Sequence, residues 1–208
     1  MAGAAPPPAL ERLAAVVKAI NGKGEVRLYP GSPLLSARAL RPRDKLIACE
    51  QRPDDAAALM QALPREAGAE VVCADGWRVA AERATAGKLL VLIDPPFEAA
   101  DDYAQIARLA PAILRRNRGA VIAIWLPIKD LATYDTFLGD LADAAPRTPA
   151  VVAEARLRPL TDPMKMNGCA MVVLNPPDGL EQGAGDAAAW IAEHLGDKGA
   201  LGRAWMLT

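Results

Sequence analysis

The turn Asp94-Pro95-Pro96-Phe97 is the part of the sequence best suited to do chemistry, and it directly follows the apolar run 89–93. Because proline lacks a backbone N–H and has a fixed φ, the turn offers acceptor oxygens without competing donors. The Asp94 carboxylate and the Pro95 carbonyl are suited to bind the hydrogens of an exocyclic amino group and to favour a pyramidal nitrogen. Phe97 is suited to stack on a base, a contact worth about 1–3 kcal/mol.

A plain structural turn is the alternative interpretation, and the chain contains a comparison for it. Asn175-Pro176-Pro177-Asp178 also follows an apolar run but has no aromatic residue. We interpret this second turn as structural, because the aromatic residue distinguishes the first.

Three acids, Glu50, Asp75 and Asp94, end successive apolar runs. Ligands of open α/β sheets bind outside the carboxyl ends of the strands. One such acid can accept hydrogen bonds from two ribose hydroxyls and the next can face an adenine amino group, each bond being worth roughly 1.5–3 kcal/mol. The alternative is that each acid caps the following helix.

The elements that would position these residues alternate along the chain. Residues 1–7 are expected to be mobile and 8–22 to form a helical lead-in, after which short apolar runs alternate with helical patterns. Continuous apolar strands separated by helices predict an α/β fold with a doubly wound, mostly parallel sheet. Two late runs joined only by a loop, around residues 151–157 and 169–175, predict an antiparallel pair at the far edge. We expect a single domain over residues 1–208.

Composition adds limits on the function. Lys plus Arg number 24 against 25 for Asp plus Glu, which argues against a strongly basic nucleic-acid binder but neither supports nor excludes RNA. The three cysteines, Cys49, Cys73 and Cys169, lack metal-ligand spacing and are interpreted as packing residues. No apolar run is long enough to span a bilayer, and the start lacks a secretory signal. We expect a cytoplasmic protein with no metal and no membrane partner.

Five motifs occur in order: LYPGSPLL, LIACEQRPDD, CADGW, LLVLIDPPFE and MNGCAMVVLNPP. With them the sequence resembles the bacterial large-subunit ribosomal RNA adenine-N6 methyltransferases known as RlmJ, over nearly the whole chain from about Pro8. The combination of YPGSP with IDPPFE is far more specific than either motif alone. The resemblance implies a class I S-adenosylmethionine methyltransferase (Rossmann-like) fold. It also implies methyl transfer to N6 of an adenine in 23S ribosomal RNA, which would be the partner.

The resemblance also implies roles for individual residues. Ser32 and Glu50 would contact the S-adenosylmethionine donor, with Glu50 at its ribose, and Asp75 and Gly76 would lie by its adenine. Asp94 would hold the target amino group at the edge of the donor site. Pro95, Pro96 and Phe97 would complete the catalytic motif, in which members often have Tyr in place of Phe97.

The sequence departs from the family at its start. A GNxAD-type segment and a first strand ending in an AGxG-type glycine-rich loop are absent, so the first strand of the sheet is expected to be missing. A gap of this kind exposes apolar strand edges, which predicts weaker donor binding and self-association through a sheet edge. A truncated chain and a diverged member with a rebuilt sheet both fit.

Two other functions compete with methyl transfer. One is a catalytically silent or weakened RNA- or DNA-binding protein with a methyltransferase-like scaffold, connected with the use of external DNA. The other, a nicotinamide dehydrogenase, is disfavoured because no GxGxxG follows a strand.

Several further residues have both a structural and a functional interpretation. His194 is interpreted as a surface or capping residue, and Trp125 as a residue that either packs in the core or lines the target pocket. Lys165 and Asn167 either lie in a solvated loop or touch RNA phosphate. The same choice applies to the basic cluster formed by Arg38, Arg41, Arg43 and Lys45.

Overall fold

The computed structural model describes residues 5–63, 68–99, 101–160 and 166–207. The chain divides into two compact units, one from Pro8 to Glu82 and one from Arg83 onward that also includes the residues before Pro8. The expectation of a single domain over residues 1–208 stays a prediction, as does the mobility of residues 1–7, of which 1–4 lie outside the described residues.

The unit from Pro8 to Glu82 is built around two parallel strands, β1 and β2, paired from Leu46↔Ala69 to Glu50↔Cys73. Ala37, Ala48 and Leu63 form its buried core. Its elements are α1 (Pro8–Asn21), α2 (Ser32–Ala39), β1 (Leu46–Glu50), α3 (Pro53–Ala62), β2 (Ala69–Cys73) and α4 (Gly76–Arg83), the last residue of α4 belonging to the other unit.

The helical lead-in predicted over residues 8–22 is confirmed as α1. The helix ends at Asn21, whose side chain donates to the Val17 and Leu28 carbonyls and accepts from the Arg27 amide. Helix α2 begins at Ser32, and Gly31 occupies its N-cap position without a side-chain cap bond.

The second unit contains a five-stranded sheet of order β3-β4-β6-β5-β7. The β3–β4 pair is parallel and the other three pairs are antiparallel, so β3, β4 and β5 run one way and β6 and β7 the other. The elements are β3 (Leu90–Ile93), α5 (Asp102–Arg116), β4 (Val121–Ile128), α6 (Leu131–Ala144), β5 (Ala150–Arg156), β6 (Gly168–Leu174), α7 (Leu180–Leu195) and β7 (Leu201–Leu207).

Strand β4 forms the centre of this core. Its side chains at Ile122, Ile124, Leu126 and Ile128 are fully buried. Such burial on a strand with partners at both edges is what the continuous apolar run predicted. Strand β3 differs, because Leu90 and Leu92 are 66% and 41% exposed. Strand β3 is therefore less buried than β4.

The α/β class, the parallel pairs and the antiparallel edge are confirmed, with three refinements. The predicted antiparallel pair is β5–β6, but β6 lies inside the sheet between β4 and β5, and β7 is the antiparallel edge strand. Helix α6 was not predicted. In the described part of the chain the strands form two hydrogen-bonded sheets rather than one, and the residues before β1 form helices α1 and α2.

Edge strand β7 is fixed to β5 by a buried carboxylate. Glu154 is 1% exposed and accepts from Arg203 Nε at 2.8 Å and Arg156 Nη2 at 2.9 Å. The Arg203 guanidinium also lies 4.6 Å from the centre of the Trp205 ring. Because this one buried acid pairs with cations from two strands, its removal leaves the largely buried Arg156 and the half-exposed Arg203 without their partner.

We expect Glu154→Ala to lower the free energy of unfolding by about 3–5 kcal/mol, the usual cost of breaking a buried ion pair from one side. Urea denaturation measures this loss. The matched control is Glu82→Ala, which removes an ion pair to Arg78 of 2.7 Å between half-exposed side chains and is expected to cost under about 1 kcal/mol. Equal losses in the two variants would contradict the anchoring role of Glu154.

Candidate active site

The Asp94 corner lies at the carboxyl edge of the five-stranded sheet. Asp94 directly follows β3, and the register pairs Ile93 at its end with Ile124 on β4, one residue before Trp125. Asp94 and Pro96 are exposed, while Pro95 is half-buried. Neighbouring side chains of the described residues therefore leave Asp94 and Pro96 open to solvent.

Phe97 leaves this corner in an unusual backbone conformation. Its φ is +52°, in the left-handed region, which costs a residue with a Cβ about 1–2 kcal/mol. The ring centre lies 5.1 Å from Tyr103 and 5.9 Å from Trp125, and all three side chains are half-buried. Packing against two rings holds the strained turn and leaves part of the Phe97 ring accessible.

The aromatic cluster continues behind Phe97. Tyr103 on α5 lies 5.5 Å from Phe137 on α6, measured between ring centres. Burial raises the pKa of Tyr103, and the charges of Asp130 and Asp102 raise it further, so its phenol stays neutral at physiological pH. Burial also raises the pKa of the Cys169 thiol, opposed by a hydrogen bond with Trp125. The two rings that contact Phe97, those of Tyr103 and Trp125, are therefore both uncharged at physiological pH.

The Asn175-Pro176-Pro177-Asp178 turn differs from the Asp94 turn in its position in the sheet and in its hydrogen bonds. Asn175 follows β6, which runs antiparallel to β4, so it lies at the opposite edge of the sheet from Asp94. Its side-chain amide donates to the carbonyls of Arg118 and Ala120, both at 2.9 Å. These bonds give Asn175 a structural role, in agreement with the interpretation from sequence.

Glu50 and Asp75 lie together at the carboxyl edge of the two-stranded sheet. Glu50 is the last residue of β1 and pairs in register with Cys73 of β2. Asp75 follows Cys73 by two residues. One oxygen of each carboxylate accepts a backbone N–H, Glu50 from Arg52 at 3.2 Å and Asp75 from Trp77 at 2.9 Å. Asp75 thus caps α4, whereas the bond to Glu50 comes from Arg52, the residue before α3, and is not a helix cap. A carboxylate has about four lone-pair sites and can hold a ligand as well.

Gly76 brings the start of α4 close to β1. A Cβ placed at Gly76 would lie 3.4 Å from the Cβ of Cys49. A Cβ here would thus already touch β1, so the space between α4 and the strand that ends in Glu50 is small. The remaining predicted donor residue, Ser32, lies in the first turn of α2, and α2 packs on β1 through Leu34 and Ala37.

These residues fit the nucleoside end of S-adenosylmethionine. Two half-buried carboxylates at one edge are suited to ribose hydroxyls and an adenine amino group, and the small Gly76 leaves room beside them. A glycine-rich loop between a strand and a helix does not precede β1 within residues 5–63. The fit is therefore to the sugar and base of the donor.

The other candidates from sequence have mostly structural roles. Asn167 is buried, and its side-chain amide donates to the Lys129 carbonyl. Its backbone carbonyl accepts from the amides of residues 157 and 158. These contacts do not fit a residue that binds a phosphate. Lys165 lies outside the described residues. In the basic cluster Arg41 pairs with Asp44 at 3.2 Å. His194 is exposed and stacks on Trp190, as expected of a surface residue.

The described residues contain no group of three or more His, Cys, Asp or Glu side chains arranged to hold a metal ion. None of the described helices has the length and apolar character needed to cross a membrane.

Comparison with known proteins identifies the family. Residues 2–207 match the family model described as ribosomal RNA large subunit methyltransferase D, RlmJ. The chain is 30% identical to ribosomal RNA large subunit methyltransferase J of Escherichia coli, over 91% of this chain and 68% of that protein. It is also 30% identical to the protein of the same name from Haemophilus influenzae, over 93% of this chain and 69% of that one.

A solved structure shares the fold. The crystal structure of a Legionella pneumophila protein described under the family model DUF519 superimposes with a TM-score of 0.86 and 22% identity, over 97% of this chain and 75% of that one. At this identity the likeness concerns the fold alone. The match over residues 2–207, together with the two curated relatives, shows that the chain belongs to the RlmJ family of ribosomal RNA large subunit methyltransferases.

Proposed function

We propose that this protein transfers a methyl group from S-adenosylmethionine to the N6 amino group of an adenine in large-subunit ribosomal RNA. The observation that carries the proposal is the exposed Asp94-Pro95-Pro96-Phe97 corner, with its acceptor oxygens beside a ring that Tyr103 and Trp125 hold in place. Membership of the RlmJ family supports the reaction type and the RNA substrate. An enzyme of this kind would act where ribosomes are made, in the cytoplasm.

The chemistry required of the corner is modest. The lone pair of an exocyclic amino group is delocalised into the base, so the nitrogen is a poor nucleophile while it stays planar. Acceptors at both N–H groups, the Asp94 carboxylate and the Pro95 carbonyl, favour the pyramidal form whose lone pair can point at a methyl group. Because Pro95 and Pro96 have no backbone N–H, neither residue can donate a hydrogen bond to the Asp94 carboxylate or the Pro95 carbonyl in place of the base. Positioning of this kind supplies much of the rate enhancement in group transfer.

The donor would be held by residues at the carboxyl edge of the two-stranded sheet. Glu50 would accept from the ribose hydroxyls, Asp75 would face the adenine beside Gly76, and Ser32 would contact the donor from α2. When bound, S-adenosylmethionine supplies an activated methyl group. The chain's own residues orient the acceptor nitrogen and keep the base stacked.

The target base must leave its helix to reach the corner. Extrusion costs a few kcal/mol in a duplex and less in a loop. Stacking on Phe97, worth about 1–3 kcal/mol, would offset much of this cost. A base in a loop or an open RNA segment is therefore the favoured substrate.

Substitutions of Asp94 separate an acceptor from a general base. Asp94→Asn keeps an acceptor oxygen but cannot take up a proton at neutral pH, and we expect it to lose about tenfold in rate, since the bond is no longer charge-assisted. Asp94→Ala removes the acceptor and is expected to lose at least about a hundredfold. Transfer of labelled methyl groups to ribosomal RNA from cells lacking the modification measures both rates.

The second proline turn supplies the matched control. Asp178→Ala changes the acid of the structural turn and should leave the rate unchanged. Equal loss in Asp94→Asn and Asp94→Ala would contradict the acceptor role, and full activity in Asp94→Ala would overturn the mechanism. Because residues 5–63 contain no glycine-rich strand-loop-helix, a catalytically silent RNA-binding protein is the second candidate. Failure of the unaltered chain to bind S-adenosylmethionine in a calorimetric titration would favour it.

Substitutions of Phe97 separate the ring from the strained backbone. Phe97→Tyr keeps the ring and should retain activity, whereas Phe97→Ala should lose about tenfold or more through lost stacking. Because φ is +52° at this position, Phe97→Gly should be more stable to urea than Phe97→Ala by about 1 kcal/mol. The reverse order of stability would contradict the left-handed turn.

A further inference from the structure

The Asp94 corner lies at the foot of a step in the five-stranded sheet. Strand β3 ends at Ile93, which pairs with Ile124, whereas β4 continues to Ile128. At about 3.3 Å per residue, the end of β4 lies roughly 13 Å above the end of β3. Strands β6, β5 and β7 reach the same level, where the outermost paired row consists of Ile128, Gly168, Arg156 and Leu201.

A buried asparagine joins the loops at the top of this step. The Asn167 side chain donates to the Lys129 carbonyl at 3.0 Å, and its backbone N–H donates to the Ile128 carbonyl at 2.9 Å. Its backbone carbonyl accepts from the amides of Leu157 and Arg158 at 2.9 and 3.1 Å. One buried residue therefore holds together the backbones of the two segments that follow β4 and β5.

The next residue keeps this junction tight. A Cβ placed at Gly168 would overlap the Ala155 carbonyl oxygen and would lie 2.8 Å from the Arg156 Cα. Glycine is therefore the residue that fits where β6 begins. The Asn167-Gly168 pair of the MNG motif thus has a structural task, which is to hold the loops that follow β4 and β5 in one arrangement.

Each of the two joined segments carries an exposed cation. Lys129 follows β4 and Arg158 follows β5, and neither side chain has an ion-pair partner among the described residues. Their backbones are already fixed through Asn167, so binding a ligand here orders little more than the two side chains. Lysine and arginine bind phosphate through charge-assisted hydrogen bonds. The top of the step is therefore suited to a phosphate-bearing ligand.

The acids near these loops do not cancel the two cations. Asp130 accepts from the Thr133 amide at 2.8 Å, and this bond lowers the pKa of its carboxyl and commits its charge to the start of α6. Asp197, whose amide donates to the Leu157 carbonyl, is followed directly by Lys198, so these two exposed charges offset each other. Cations thus outnumber acids at this end of the sheet.

We propose that Lys129 and Arg158 bind phosphate groups of the RNA that flanks the target adenine, on the loops above the Asp94 corner. The identity of the ligand as RNA rests on the proposed function. Flanking RNA covers the roughly 13 Å between corner and loops within a few nucleotides. Phosphate contacts position a nucleic acid without reading its sequence. A local patch of this kind lets a chain with a net charge of −1 hold RNA.

RNA binding without any donor tests the surface, with a fluorescently labelled single-stranded oligoribonucleotide as the probe and anisotropy as the measurement. We expect Lys129→Gln combined with Arg158→Gln to raise the Kd about tenfold. The logarithm of the association constant should also fall less steeply with the logarithm of the salt concentration, by about 1.4, because each lost phosphate contact removes about 0.7 from the slope for single strands.

Two further variants control for folding and for general charge. Arg118→Gln removes an exposed cation beside the Asn175 turn, at the opposite edge of the sheet, and should change neither the Kd nor the slope. Lys129→Arg combined with Arg158→Lys keeps both charges and should bind the oligoribonucleotide as the unaltered chain does.

Methyl transfer to large-subunit ribosomal RNA supplies a second readout. Contacts to flanking phosphates act on RNA capture, so the double glutamine variant should raise the KM for RNA about tenfold and leave kcat nearly unchanged. A fall in kcat without a change in KM would contradict a role in capture.

The surface and the reaction can fail separately. An unchanged Kd and salt slope in the double glutamine variant, an equal loss in Arg118→Gln, or lost binding in the charge-keeping variant would overturn the proposal, even if the chain methylates RNA. RNA binding with the expected salt dependence but without methyl transfer would support the surface and contradict the proposed function.

Discussion

The absence of a backbone N–H group at Pro95 and Pro96 is the constraint on which the proposed chemistry depends. Pro95 and Pro96 have carbonyl oxygens that can accept hydrogen bonds but no N–H groups that could donate them. Their fixed φ angles also restrict the direction in which the chain leaves β3. The turn then holds Phe97 at a φ of +52°, which packing against Tyr103 and Trp125 stabilises. Strand β4 supplies the buried support, because it pairs with β3 and also contributes Trp125.

The position of the same corner depends on the length of β3. This strand is short, has one strand partner among the described residues and exposes two leucines, and it is followed by Asp94, for which a catalytic role is proposed. The other strands of its sheet continue past its end to the loops that carry Lys129 and Arg158. Base positioning and contact with the RNA backbone are therefore expected to depend on one sheet.

Much of the fold could be predicted from local patterns. Apolar runs located β1 to β6, and helical spacing located α1. The structural interpretation of the Asn175 turn agrees with its side-chain hydrogen bonds. Helix α6 was missed although it has an Asp130 cap and buried residues at helical spacing, including Tyr134, Leu138 and Leu141. Its apolar residues follow closely on those of β4, which obscured the change of period.

Other features depend on tertiary contacts and leave no local signal. The exposure of Leu90 and Leu92 follows from which strands pair, not from the run of residues itself. The place of β6 inside the sheet and the ring contacts of Phe97 with residues on α5 and β4 are equally non-local. The acids at the strand ends were identified, but the hydrogen bonds from nearby amides to Glu50 and Asp75 could only be seen in three dimensions.

The central claim concerns which atom of the base receives the methyl group. The most direct measurement is nucleoside analysis by mass spectrometry, after the protein has acted on large-subunit ribosomal RNA with an isotopically labelled donor. If the Asp94 carboxylate and the Pro95 carbonyl bind the exocyclic amino group of adenine, we expect the label in N6-methyladenosine. Label on a ring carbon, on a ribose oxygen or on a different base would contradict the account.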